Sequence, residues 1–127
     1  MKDNPFLNIH HSEKIFESLY FFAIWDKYPV NPGHVLIISE RHAMDFFDLL
    51  MKEQIELGMI IPEVVDIIRK KYHFDGINIG MNCGDIAGQT VPHFHCHIIP
   101  RYTNDVENPV GGVRNVIPSR ADYLTNI

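Results

Sequence analysis

An α+β fold with a mostly antiparallel sheet is what this sequence predicts, on three observations. Short runs of aromatic and branched residues open the chain. One central stretch carries apolar residues three to four apart, and the run around residue 95 alternates in twos. Side chains repeat every two residues on a strand and about every 3.6 on a helix. The order strands, helix, strands keeps the two kinds apart, as an α+β domain does.

The elements follow in order. Residues 1–12 carry few signals. Residues 14–19 and 20–25 are rich in aromatic and branched side chains and read as two strands. Residues 26–33 form a turn region broken by Pro29, Pro32 and Gly33. Residues 34–39 are a short apolar run, read as a buried strand. Phe46, Phe47, Leu49 and Leu50 suggest a short helix. Ile55, Met59, Val64, Val65, Ile68 and Tyr72 then mark a long amphipathic helix, closed by Arg69, Lys70 and Lys71 at its negative dipole end. Pro62 removes a backbone donor and is expected to kink or split that helix. Residues 77–82 alternate as a strand, 84–90 form a loop, and 91–102 form the last strand. From about residue 104, Pro109, Gly111, Gly112 and Pro118 predict an irregular tail.

Composition narrows the function. The 127 residues suit a single domain spanning residues 1–127, and no apolar run approaches the roughly 20 residues that cross a bilayer. The first residues lack the apolar core of a signal peptide, so a cytoplasmic protein is expected. Two cysteines make no disulfide framework. Cys96 reads as a small buried hydrophobe, and Cys83 has no companion base in its local sequence. A formal charge of −5 argues against a nucleic-acid binder. It leaves open a small phosphorylated ligand at a locally positive site.

The chemistry lies in His93-Phe94-His95-Cys96-His97. On a strand the three imidazoles share one face, and Phe94, Cys96 and Ile98 point into a core. One reading is a metal site, since imidazole suits zinc. Neighbours on one strand face lie about 7 Å apart, however, so three rarely chelate together. The other reading is a phosphate site. The glycine loop before the strand offers backbone amides as a nest, Gln89 and Thr90 add donors, and Asn82 ends the preceding strand. A histidine that is largely neutral near neutral pH is a competent nucleophile toward phosphorus.

The run Gly88-Gln89-Thr90-Val91-Pro92-His93-Phe94-His95-Cys96-His97-Ile98-Ile99-Pro100-Arg101 resembles the signature of the histidine-triad (HIT) family. Pro32-Gly33-His34-Val35-Leu36-Ile37-Ile38 and Arg41-His42 resemble that family's second block. The tail around Asn108-Pro109 and Gly111-Gly112 is similar to that of bacterial diadenosine-polyphosphate-hydrolase-like members. The resemblance implies a five-stranded antiparallel sheet with one long and one short helix, and a homodimer. It implies a nucleotide hydrolase or nucleotidyl transferase that cleaves at the α-phosphate of a dinucleoside polyphosphate or nucleoside phosphoramidate. The alternative is a non-catalytic dimeric nucleotide-binding or signalling protein, and a third reading is a metalloprotein.

Residue by residue, the resemblance makes His95 the nucleophile, with His93 and His97 holding phosphates and His34 behind the triad. Asp26 becomes the ribose partner, and Asn82, Gln89 and Thr90 contact the phosphates and leaving group. A purine base is expected against Phe16 and Leu19. Many relatives carry a Cys-x-x-Cys pair that binds zinc with counterparts of His42 and His93. Here Asn4-Pro5-Phe6-Leu7 stands in that place, so no structural zinc is expected. His42 then reads as a surface or packing residue, with His10 and His11 leaving room for an all-histidine site. No cofactor is expected, magnesium remaining open as the companion of a polyphosphate. Arg101, Arg114 and Arg120 read as solvated.

Overall fold

The computed structural model describes residues 4–124. Five strands form one sheet: β1 (Lys14–Glu17), β2 (Phe21–Trp25), β3 (Val35–Ser39), β4 (Gly76–Gly80) and β5 (His95–Arg101), in the order β1-β2-β3-β5-β4. Every neighbouring pair is antiparallel. One long helix, α1 (Met51–Arg69), covers one face. The expected α+β class with five antiparallel strands is therefore present. The expected short helix is a single 3-10 turn, Phe46–Asp48, in which Asp45 accepts from the Phe47 amide. Beyond residue 104 the chain makes two further 3-10 turns, Gly112–Val116 and Pro118–Arg120. No described helix is long and apolar enough to cross a membrane.

The helix phase differs from the sequence expectation. Ile55 and Met59 are 58% and 69% exposed, and the buried stripe is Glu53, Leu57, Ile60, Val64 and Ile68. Apolar residues on several sides of α1 permit two phases, and the sheet face selects one. Pro62 does not divide the helix. A proline crowds the carbonyl four residues back, which is that of Gly58. Both residues face solvent, where water satisfies the freed carbonyl.

Two apolar layers sandwich the sheet. Phe21, Ala23, Val35, Ile37, Phe94, Cys96 and Ile98 pack toward α1. Phe22, Ile24, Leu36 and Ile38 point the other way and meet Phe6 of an N-terminal 3-10 turn, Pro5–Asn8. Asn4 caps that turn, its Oδ1 accepting from the Phe6 amide at 3.1 Å. Proline at the first position suits such a start. Burying one such side chain contributes roughly 1.5–3 kcal/mol.

Candidate active site on the outer face of β5

Alternation holds from His95 onward, but β5 begins there and not at the expected residue 91, so only His95 and His97 of the three histidines lie on the strand. Cys96, Ile98 and Pro100 are buried, while His95, His97, Ile99 and Arg101 face outward. Register places Leu36 opposite His97 and Ile38 opposite His95 on that same face. His93 precedes the strand and is only 2% exposed. Its surroundings are the turn that Phe94 anchors by donating to the Ala43 carbonyl at 2.7 Å.

Hydrogen bonds assign the tautomers. His95 Nδ1 lies 2.8 Å from the His93 carbonyl oxygen, which only accepts, so Nδ1 carries the proton. In neutral His95 the free lone pair is therefore on Nε2. The Val30 amide donates to His34 Nδ1 at 3.0 Å, so His34 Nε2 carries the proton. That Nε2–H donates to His97 Nδ1 at 2.9 Å, with Asp26 Oδ2 at 3.3 Å. His97 is left to present Nε2–H outward as an uncharged donor. Burial, then the neighbouring His95 and His34, holds His97 down from 6.5 to about 4. Burial also lowers His34, against the pull of Asp26.

His93 is pinned on both ring nitrogens. Its Nε2 donates to the Ser39 carbonyl at 2.8 Å, and its Nδ1 accepts from Asn4 Nδ2 at 3.1 Å. Burial lowers its pKa, more than the Ser39 bond raises it. The zinc site of the resemblance does not fit here. The Asn4 amide occupies the His93 nitrogen a metal would need, Cys96 lies in the core, and His42 Nε2 donates to the Pro92 carbonyl at 2.8 Å. Separately, Asp26, His34 and His97 bring three ligand atoms within 4.8 Å of one another, a donor set able to coordinate a divalent cation. The His34–His97 hydrogen bond already joins two of those residues.

A cavity of about 340 Å³ opens beside the triad. Phe6, Ile24 and Leu36 give it apolar walls, and Asp26, Thr90, His95 and His97 give it polar ones. That volume falls in the range of small-molecule sites, about 300–1,000 Å³. The Phe6 ring stands edge-on to His95 with centroids 5.1 Å apart. Asn82 lies outside this cavity and lines a second one beyond His97.

Three expectations are corrected. Phe16 packs into the helix-side layer, and Leu19 is 74% exposed at the β1–β2 turn. Neither borders the cavity, because the first strand is the sheet edge farthest from β5. Gln89 is buried, and its side chain serves backbone: Nε2 donates to the Met44 and Val91 carbonyls, and Oε1 accepts from the Gly84 amide. The loop amides of Ala87, Gly88 and Gln89 bond to Gly84 and Asp85 carbonyls. These amides build the loop instead of a phosphate nest.

Sequence reasoning missed Phe6, Ile24, Leu36 and the Asn4 contact. The first three had a readable signal. Ile24 and Leu36 alternate with core positions on adjacent strands, and Asn4-Pro5 is a cap followed by proline. The Asn4–His93 bond spans 89 positions and has no local signature.

The comparisons agree with this geometry. A bis(5'-adenosyl)-triphosphatase of Dictyostelium discoideum is 37% identical over 100 residues, 79% of this chain and 67% of that protein. An uncharacterised HIT-like protein of Mycoplasma genitalium is 37% identical over 91 residues, 72% of this chain. The chain spans only 64% of that relative's length. The crystal structure of Plasmodium falciparum diadenosine triphosphate hydrolase superposes with a TM-score of 0.72 at 29% identity, covering 79% of this chain and 68% of that one. Residues 9–104 match the HIT domain. With that match, the fold and the outward-facing histidines, the chain belongs to the HIT family.

Proposed function

We propose that this protein is a nucleotide hydrolase or nucleotidyl transferase working through a nucleotidyl-histidine intermediate. The observation that carries the proposal is the bond from His95 Nδ1 to the His93 carbonyl at 2.8 Å, which leaves Nε2 as the unprotonated atom beside the cavity. The nucleoside of a purine nucleotide or dinucleotide occupies the apolar part of that cavity, with Asp26 toward the ribose and Thr90 near the phosphate. The dinucleoside triphosphate named for two relatives supports that substrate class.

Chemistry follows from the tautomers. Nε2 of His95 bonds to the α-phosphorus while the bond from phosphorus to the leaving oxygen or nitrogen breaks. The imidazole gains positive charge, which Nδ1–H shares with the His93 carbonyl. His97 Nε2–H donates to a non-bridging phosphoryl oxygen without carrying a competing charge. An amine leaving group takes a proton from solvent, and a phosphate oxygen leaves as the anion. Water then adds hydroxide to phosphorus, its proton passes to solvent, and Nε2 recovers its lone pair. Magnesium accompanies a polyphosphate substrate as its counterion.

Replacing His95 by Ala is expected to lower turnover on the order of ten-thousandfold while adenosine monophosphate binding persists. Unchanged turnover removes His95 from this role. Release of no monophosphate by the native protein, from a dinucleoside polyphosphate or a phosphoramidate, favours the purely nucleotide-binding alternative.

We further propose a homodimer in a reducing, cytoplasmic setting with no nucleic-acid partner. The outer-strand position of β4, the exposed apolar stripe Met51, Ile55 and Met59, two free thiols and a net charge of −5 support this. Light scattering at twice the 14.7 kDa chain mass is the expected result, and monomer mass contradicts it.

A further inference from the structure

His97 presents Nε2–H outward only while His34 donates to its Nδ1, at 2.9 Å. That donation requires His34 Nδ1 to stay unprotonated, and the Val30 amide, donating to it at 3.0 Å, keeps it so. The His34 amide in turn donates to the Asn31 carbonyl at 3.2 Å. Residues 30–34 thus wrap the ring with their own backbone, and whatever fixes that turn fixes the tautomer. Asp26 Oδ2 favours the same proton from 3.3 Å.

Asn31 bolts this turn to the end of β5. Its Nδ2 donates to the Pro100 carbonyl at 3.0 Å and to Asp105 Oδ2 at 2.8 Å. Asp105 returns to the sheet because Asn104 takes a left-handed φ of 68°, which a short amide side chain tolerates, and the Asp105 amide closes onto the Tyr102 carbonyl. The carboxylate then accepts from Arg101 Nε and Nη2 at 2.8 Å each and from the Tyr102 amide at 3.0 Å. Arg101 Nη1 donates to Asn78 Oδ1 of β4 at 2.8 Å. Arg101, expected to be solvated, is therefore engaged by three side-chain bonds, and two parallel bonds fix guanidinium and carboxylate in one orientation. Its guanidinium, with the Tyr102 amide, holds the Asp105 carboxyl well below the usual carboxylate range, so it remains an acceptor at neutral pH.

We propose that Asn31, held by Asp105 and Arg101, is a positioning residue: through the turn it sets the His34 tautomer, and so the proton that His97 presents to a bound phosphate. It rests on the His95 reading for the reaction and adds what keeps the neighbouring donor in its working state. Once the turn loosens, the His34 proton is free to move to Nδ1. His34 Nε2 then accepts, and His97 carries its proton on Nδ1 and loses the outward N–H. Asn31, Arg101 and Asp105 do not line the cavity beside His95, so their loss is read in the catalytic step and not in nucleotide binding.

Imidazole nitrogen NMR on the native protein is expected to show His97 protonated at Nε2 and bare at Nδ1. Asn31→Ala is expected to shift both signals toward a mixture of tautomers. It is also expected to lower kcat on diadenosine triphosphate about tenfold, with KM changed less than about twofold. Asp105→Ala is expected to match it. Asp105→Asn keeps an oxygen toward Asn31 and is expected to retain at least about half of native kcat. His34→Gln faces His97 with an amide N–H that has no tautomer to lose, and in that background Asn31→Ala is expected to change kcat less than about twofold. A native His97 protonated at Nδ1 overturns the proposal. So do native His97 signals in Asn31→Ala, an equal loss from Asn31→Ala in both backgrounds, or Asp105→Asn falling as far as Asp105→Ala. Absence of turnover by the native protein overturns the hydrolase reading, while the His97 signals of Asn31→Ala still decide the positioning.

Discussion

Asn4 shows how one side chain serves two parts of the site. Its Oδ1 caps the turn that carries Phe6, and its Nδ2 holds His93 Nδ1. The His93 carbonyl in turn orients His95. Asn4→Asp keeps the cap and removes only the donor, placing an acceptor against an acceptor. The loss of one such hydrogen bond amounts to about 1 kcal/mol. Turnover is therefore expected to fall roughly fivefold to tenfold with KM little changed. Imidazole nitrogen NMR is expected to show His93 Nδ1 shifting toward the protonated form. Native kinetics together with native His93 shifts would show that the contact positions nothing. The cap is legible in Asn4-Pro5, but the bond to His93, 89 positions away, is not.

At the scale of elements, α1 is fastened at its start by a charge pair between buried Glu53 and half-exposed Arg41. Glu53 is 2% exposed and lies in the core-facing stripe, where an apolar residue is the usual occupant. Its Oε1 accepts from Arg41 Nη2 at 2.8 Å and from the Leu50 amide at 2.7 Å. Burial pushes its carboxyl up, and the Arg41 and Leu50 bonds together outweigh it, so the net shift is downward. Arg41→Ala removes that carboxylate's cation and, discounted for the exposed arginine, is expected to cost about 1–2 kcal/mol, measured as a lowered urea midpoint with unchanged slope. A loss below about 0.5 kcal/mol would mean that water replaces the arginine fully. The sequence shows a helix here because apolar spacing is a local property. It does not show which stripe is buried, because residues 51–69 carry apolar side chains on more than one side. Contact with the sheet places Leu57 and Ile60 inside and Ile55 and Met59 outside.

For the whole molecule, the histidine network ties stability to pH. His97, His34 and His93 all have pKa values lowered in the fold, His97 from 6.5 to about 4, chiefly by burial. Between those values the unfolded chain binds more protons than the folded one, so acid favours unfolding. Stability is thus expected to be full above pH 6.5 and to decline as pH falls toward about 4. Denaturant midpoints across that window measure it, with His97→Gln flattening the slope. A native midpoint that stays constant through the window contradicts the burial of these rings. What the sequence by itself determined is everything set by local periodicity: the strands, the helix, the turns at proline and glycine, and the shared face of His95 and His97. Periodicity reports the side a residue faces and is silent on its partner. The tertiary structure therefore decided that Phe6, Ile24 and Leu36 wall the cavity instead of Phe16 and Leu19. It also turned Gln89 to the backbone and set the tail beside β5, since each of these depends on segments far apart in the chain meeting across the sheet.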